Sequence, residues 1–331
     1  MPKSKKWIFM MVCCFIALVG CSNKSAEEDV YRINIAHGNQ PSEPVGIIAE
    51  KWKEIAAEKS DGKVQIEVYP SSQLGSEKEV VEQALMGNNV VIFTGYDFLM
   101  DYVPDAGIIT APYLTDDFDS LLALTDSEWF EKLEKKLNDK KIDIVNTTTV
   151  YGARHLMTVK PVESAEDLKG MKIRVPNNQM YIKTFEAMGA SPTPLPLSDV
   201  YPGLQQGLID GAENPLPTLA GSKTQEVAKN LALTEHTKII SPWIAGSDFM
   251  NTLPDDVVAL LKESGDEAAA YGREVLESEN EKVLEEFIDQ GVEIREIDIE
   301  EFREKTKSVY TSFPDWSDGL YEEVQKALKE N

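Results

Sequence analysis

Polar and apolar residues alternate along Tyr31-Arg32-Ile33-Asn34-Ile35-Ala36, which predicts a strand, and His37-Gly38-Asn39-Gln40-Pro41 closes it as a loop. Val45, Ile48, Trp52 and Ile55 then recur at helical spacing until Ser60-Asp61-Gly62. A second strand is expected over Lys63 to Tyr69, followed by a capping box, Ser76 to Glu79, that opens a helix with the apolar face Val80, Val81, Ala84 and Leu85. Gly87 stops that helix, and Val90 to Phe93 is a buried third strand. This β-α-β-α-β order predicts an α/β lobe with a largely parallel sheet whose loops converge on one edge.

Further on, a helical stretch covers Phe118 to Leu137. Two strands, Ile142 to Tyr151 and Arg154 to Val159, flank a bend at Gly152-Ala153 that reads as a crossing between lobes. Ser164 to Asp167 caps a brief turn; Lys172 to Val175 alternates as a strand that Pro176 ends. Helices are expected from Gln179 to Met188, closed by Gly189, and from a Ser198 cap to Gln206, closed by Gly207. Ile209 to Asn214 is a short extended segment, and Ile239 to Phe249, with Trp243, is the last strand-like run. From Pro254 to Gln290 no proline intervenes, so one long helix is predicted, about 50 Å at the usual rise and long enough to brace two lobes. The two lobes are expected at 30–151 with 240–279 and at 152–239 with 280–331.

The N-terminus adds an address. Lys3, Lys5 and Lys6 precede the apolar stretch Trp7 to Gly20, the pattern of an export signal too short to span a bilayer. Leu18-Val19-Gly20-Cys21 resembles the lipobox of bacterial lipoproteins, which implies cleavage before Cys21 and lipid on its sulfur, with 22–29 as a polar tether. Cys13 and Cys14 lie inside residues 1–20, so the mature chain has no disulfide and no cysteine-based metal site. The formal charge of −24 becomes −27 once the three signal lysines are removed, which disfavours nucleic acid and requires any anion site to be local.

No Gly-x-Ser-x-Gly, His-Glu-x-x-His or Gly-x-Gly-x-x-Gly motif occurs, Gly221-Ser222-Lys223-Thr224 lacks the spacing of a phosphate loop, and the three histidines form no metal pattern. No cofactor, metal or catalytic residue is therefore expected. Arginine is scarce, six against 27 lysines, and two arginines, Arg154 and Arg174, stand in apolar strands. Most arginines make surface contacts, but one at the end of a strand, facing the polar turn Gly211 to Pro215, can clamp a carboxylate with two parallel hydrogen bonds.

The series Gly170 to Pro176, Gly189 to Pro194, Asp199-Val200-Tyr201 with Leu204 to Gly207, and Asp210 to Pro215, together with Pro70 to Gly75, resembles the solute-binding proteins of tripartite ATP-independent periplasmic (TRAP) transporters, the DctP-like family. The resemblance implies a two-lobed α/β fold like that of type II periplasmic binding proteins, with mixed sheets, a hinged cleft and a long bracing helix. It implies that Arg174 binds a carboxylate, that Asn214 assists, that Arg154 is a second arginine aimed at the ligand, and that Asn177 adds a polar contact. His37 and Glu77 are expected at the ligand's far end, although Glu77 is equally placed to stabilise its helix N-terminus. Trp243 and Tyr96 are expected as an aromatic wall. Gly95 stands near where some relatives that bind acidic sugars carry a glutamate, and Leu197 where some carry an aromatic. The expected function is capture of an organic acid, a sugar acid such as a hexuronate, by a lipid-anchored extracytoplasmic monomer that delivers it to a TRAP permease. The alternatives are a C4-dicarboxylate or keto-acid receptor on the same fold, a secreted sugar-acid lyase or isomerase, and a ligand sensor for a membrane kinase.

Overall fold

In the computed structural model, which describes residues 30–330, the first expected elements form in order. The signal segment, Cys21 and the tether lie outside the described residues. β1 (Tyr31–Ala36) buries Ile33 and Ile35, and α1 (Pro44–Lys59), opened by Pro44, buries Ile48, Ala49, Trp52 and Ala56. It ends where Asp61 and Gly62 take left-handed backbone conformations. β2 (Val64–Tyr69) pairs in parallel with β1. The capping box is present at the start of α2 (Glu77–Leu85), where Ser76 N donates to Glu79 at 2.8 Å. β3 (Val91–Phe93), buried throughout, takes the other edge of β1, also in parallel.

The chain next forms α3 (Tyr96–Leu99) and a 3-10 turn over Pro104–Thr110. The helical stretch near 118–137 divides into α4 (Phe118–Leu124) and α5 (Glu128–Asn138), because the Ser127 hydroxyl accepts from Phe130 N and begins a second helix. In place of two strands with a bend between them there is one, β4 (Ile142–Thr158). The bend survives inside it as a bulge: the pairing register slips between Val150 and Gly152, and Gly152 has φ 127°. β5 (Lys172–Val175), α6 (Gln179–Ala187), β6 (Ser191–Pro194), α7 (Val200–Gln205), β7 (Gly211–Pro215) and α8 (Leu216–Gly221) follow. Ser198 does not cap α7; its hydroxyl bonds Asp199 at 3.2 Å, and Asp199 is the residue at the cap.

The strand that holds Trp243 begins nine residues earlier than expected, as β8 (Asn230–Gly246). After α9 (Ser247–Met250) comes the long helix, α10 (Asp255–Asp289), 35 residues without interruption. It is not followed by helix alone: β9 (Glu293–Arg295) adds in parallel beside β8, and α11 (Ile299–Thr306) and α12 (Leu320–Glu330) complete the chain. Sheet order is β2-β1-β3-β8-β4-β7-β5-β6, mixed parallel and antiparallel.

β4 and β8 run through both halves of this sheet. Residues 142–150 of β4 pair with 240–246 of β8, beside β3, whereas 152–158 pair with 230–239, beside β7. α10 follows the same division. Val257, Leu261 and Ala268 enter the core under β1 and α1, while Val283 and Phe287 enter the core of α7 and α8. Gly265 lets the Trp52 ring approach the helix, and Trp52 Nε1 donates to Leu261 O and Ser264 Oγ, each at 3.0 Å. The C-terminal segment departs from the expected division. α11 packs on β8 near the second half, but α12 lays Leu320, Val324 and Ala327 against α4 and α5 of the first, because its buried stripe completes the core around Leu121 and Leu133.

Candidate functional site

Loops at the ends of β1 and β3 and the start of α2 form one wall of a cleft, and β4, β5 and β7 carry the other. The space between them encloses about 880 Å³, mouth included. Its lining includes Glu77, Thr94, Gly95 and Asp97 from the first half of the molecule and Arg154, Arg174, Asn177 and Asn214 from the second. Five of the eight residues expected to meet a ligand are thus brought together: Arg174, Arg154, Asn214, Asn177 and Glu77.

Arg174 is only 4% exposed, yet among the described residues its one hydrogen bond runs from Nε to Leu195 O at 2.9 Å, and no carboxylate pairs with it. Burial pulls its pKa down to about 10, so the guanidinium remains charged at neutral pH. A buried cation without a partner is costly, and an incoming anion relieves that cost. Asn214, in the strand next to Arg174, has a buried Nδ2 with no partner.

Arg154 is built differently. Its Nε and Nη2 grip the Glu213 carboxylate, Nη2 bonding Oε1 at 2.6 Å and also the Glu213 main-chain oxygen at 3.0 Å. The guanidinium also lies over the Tyr181 ring at 4.6 Å. Burial drives Glu213 up, but Arg154 and a hydrogen bond from His236 Nε2 at 3.1 Å outweigh it and hold the carboxyl below its usual range. Arg154 is therefore charge-compensated within the protein, and only Nη1 carries no hydrogen bond to it.

On the opposite wall Glu77 Oε1 accepts from Thr94 Oγ1 at 2.7 Å and from Gly95 N at 3.0 Å, while Oε2 accepts no hydrogen bond among the described residues. Burial raises its pKa, offset in part by those two bonds and by Arg174 and Arg154. Asp97, 4% exposed, accepts from Asn178 Nδ2, a bond that spans the two walls. Burial and then Glu77 push Asp97 up to about 7. Gly95 lacks a side chain for a steric reason: a Cβ there would stand 2.0 Å from Asp97 Oδ1.

Three expected residues lie outside the cleft. His37 is buried edge-on to Trp243 at 6.4 Å, and burial lowers its pKa to about 4, so it belongs to the core beneath the Gly38-Asn39 turn that does line the cleft. Trp243 packs against Trp52 and Phe93, with Nε1 donating to Thr149 Oγ1 at 3.2 Å. Tyr96 is buried against Phe130. All three side chains take the core face of their elements, and the aromatic lining comes from Phe93, Phe98 and Tyr151 instead.

Sequence reasoning missed Asp97, Asn39 and Tyr151. A lone acid in the apolar run Phe93 to Met100 was the available signal for Asp97. Asn39 and Tyr151 belong to a buried cluster in which Asn39 Nδ2 donates to Glu43 at 2.6 Å and to Tyr151 Oη at 3.1 Å, and Thr218 Oγ1 donates to Glu43 at 2.9 Å. Only the fold assembles it.

Residues 35–315 match the family described as bacterial extracellular solute-binding protein, family 7, DctP. A TRAP periplasmic solute-binding protein of Actinobacillus succinogenes 130Z, with bound L-galactonate, superposes with a TM-score of 0.89 at 44% identity, covering 91% of this chain and all of that one. A second, from Ochrobacterium anthropi with bound L-fuconate, gives 0.88 at 43% identity over 90% of this chain and 99% of the other. The sialic acid-binding periplasmic protein SiaP of Vibrio cholerae is 30% identical over 260 residues, 77% of this chain and 80% of its own length.

Proposed function

The chain belongs to the DctP family of bacterial extracellular solute-binding proteins, and from that premise we propose that it captures a sugar acid outside the cytoplasm and delivers it to a TRAP-type permease. One observation carries the reading: the buried Arg174 guanidinium, with no carboxylate partner of its own, beside the unpartnered Asn214 amide. Arg174 takes the ligand carboxylate through paired charge-assisted hydrogen bonds and Asn214 adds a donor. Arg154, engaged with Glu213, offers Nη1 and holds the floor of the site. Asn177 and Glu77 meet hydroxyl groups. The sugar acids bound to the similar proteins of Actinobacillus and Ochrobacterium support this ligand class.

Closure brings 30–151 with 240–279 against 152–239 with 280–306, by bending of β4 and β8 where Gly152 faces Ile239. The ligand leaves unchanged, with no reaction performed on it. The Leu18-Val19-Gly20-Cys21 motif supports a lipid anchor at Cys21. Calorimetry with hexonates, hexuronates and C4-dicarboxylates tests the ligand class: at least one sugar acid binds tightly, and tight succinate binding without any sugar acid overturns it. Chromatography of the ligand after incubation should recover it intact. Cys21→Ser should move the protein from the membrane fraction to the soluble one.

A further inference from the structure

The two walls of the cleft carry opposite charge, and the imbalance has consequences for what fits between them. On one wall Arg154 is already neutralised by Glu213, which leaves Arg174 as the lining arginine without a carboxylate of the protein. On the other stand two carboxylates, Glu77 and Asp97, with no arginine or lysine among the described residues bonded to either. Lys78 also lines the cleft, but its ammonium is turned to Asp101 at 3.1 Å. A ligand that places one carboxylate on Arg174 completes the charge balance there, and its remaining polar atoms face acceptors.

Hydroxyl groups satisfy such acceptors, since each donates one hydrogen bond; a second carboxylate has no proton to donate and meets like charge at Glu77, and at Asp97 once that group is ionised above about pH 7. We infer that Glu77 and Asp97 form a charge filter that admits polyhydroxy acids with a single carboxylate and rejects diacids of the same length. The filter rests on the sugar-acid reading above and adds to it the ionic class of the ligand and the residues that select it. Gly95 is part of the device, because any side chain there displaces the Asp97 carboxylate. The Asn178 amide is the group that fixes Asp97 Oδ2, and Thr94 with Gly95 N fixes Glu77 Oε1, so neither acid is free to swing away from an unwelcome ligand.

The test is calorimetric titration at pH 8, above the Asp97 pKa of about 7, with galactonate, with galactarate, and with the monoamide of galactarate, which keeps the size of the diacid and removes its far charge. Galactonate and the monoamide should bind within about tenfold of each other, and galactarate more weakly by about 100-fold or more, the scale of an uncompensated like-charge contact. Asp97→Asn, Glu77→Gln and Gly95→Ala should each narrow the galactarate gap by about tenfold. Galactarate as tight as galactonate overturns the filter while leaving the sugar-acid reading intact; succinate bound with no sugar acid bound overturns both. A gap unchanged in every variant removes the assignment to these residues. Should the variants fail to fold, the monoamide decides on the unaltered protein: a monoamide as weak as the diacid refutes the charge filter.

Discussion

Two arginines that line the same cleft behave as opposites once their partners are counted. Arg174→Ala removes a buried cation with no carboxylate partner among the described residues, so ligand binding should be lost while the melting temperature should change little; retained affinity in calorimetry would refute its proposed role. Arg154→Ala leaves Glu213 buried without its counter-charge and should cost about 3–5 kcal/mol in a denaturant titration. His37 supplies a pH signature. Its folded pKa of about 4 lies below the ordinary value of 6.5, so the unfolded chain takes up the proton first as pH falls. The stabilising contribution of the neutral ring is therefore complete above pH 6.5 and lost on the way down to about 4. Whatever its effect at pH 7, His37→Phe should gain stability relative to the parent at pH 5. Part of this chemistry was legible in the sequence. An arginine is conspicuous in Lys172-Ile173-Arg174-Val175, whereas an aspartate in a chain with 57 acidic residues is not, and Asp97 became visible only through its burial. His37, Tyr96 and Trp243 fall outside the cleft for a related reason: neighbouring residues of a loop, helix or strand point in different directions, and sequence names the neighbourhood without naming the side.

Elements with strong local signals formed where alternation and caps placed them: β1 through β3, α1 and α2, and α10. The halves of β4 and β8 did not separate cleanly in the sequence. Gly152 resembles a chain break until pairing on both sides shows a bulge, and Asn230 to Lys238, with its threonines, glutamate and histidine, has the composition of a loop although it is paired throughout much of its length. The stripe of α10 that faces α1 makes a sharper prediction. A Cβ at Gly265 would stand 2.8 Å from the Trp52 ring, which two hydrogen bonds hold in place, so Gly265→Ala should cost about 1–3 kcal/mol by thermal or chemical unfolding. A neutral effect there would mean that the helix can shift away from α1 without loss.

For the molecule as a whole, a ligand that binds only the folded chain adds about 2.7 kcal/mol at a hundred times its Kd, so a thermal screen of organic acids should single out its class by a raised melting temperature. The path of β4 and β8 has a consequence for how the protein comes apart. Each half of the sheet borrows the middle of its hydrogen-bonded ladder from strands whose remaining length belongs to the other half, and α10 is common to both cores. Neither half retains a complete core when the other melts. Tryptophan emission reports the first half, where Trp52, Trp129, Trp243 and Trp316 reside, while far-ultraviolet dichroism reports both. The two should trace one coincident transition, and a fragment cut to contain either half alone should remain unfolded, because two long ribbons have made a protein with two walls into a single cooperative unit.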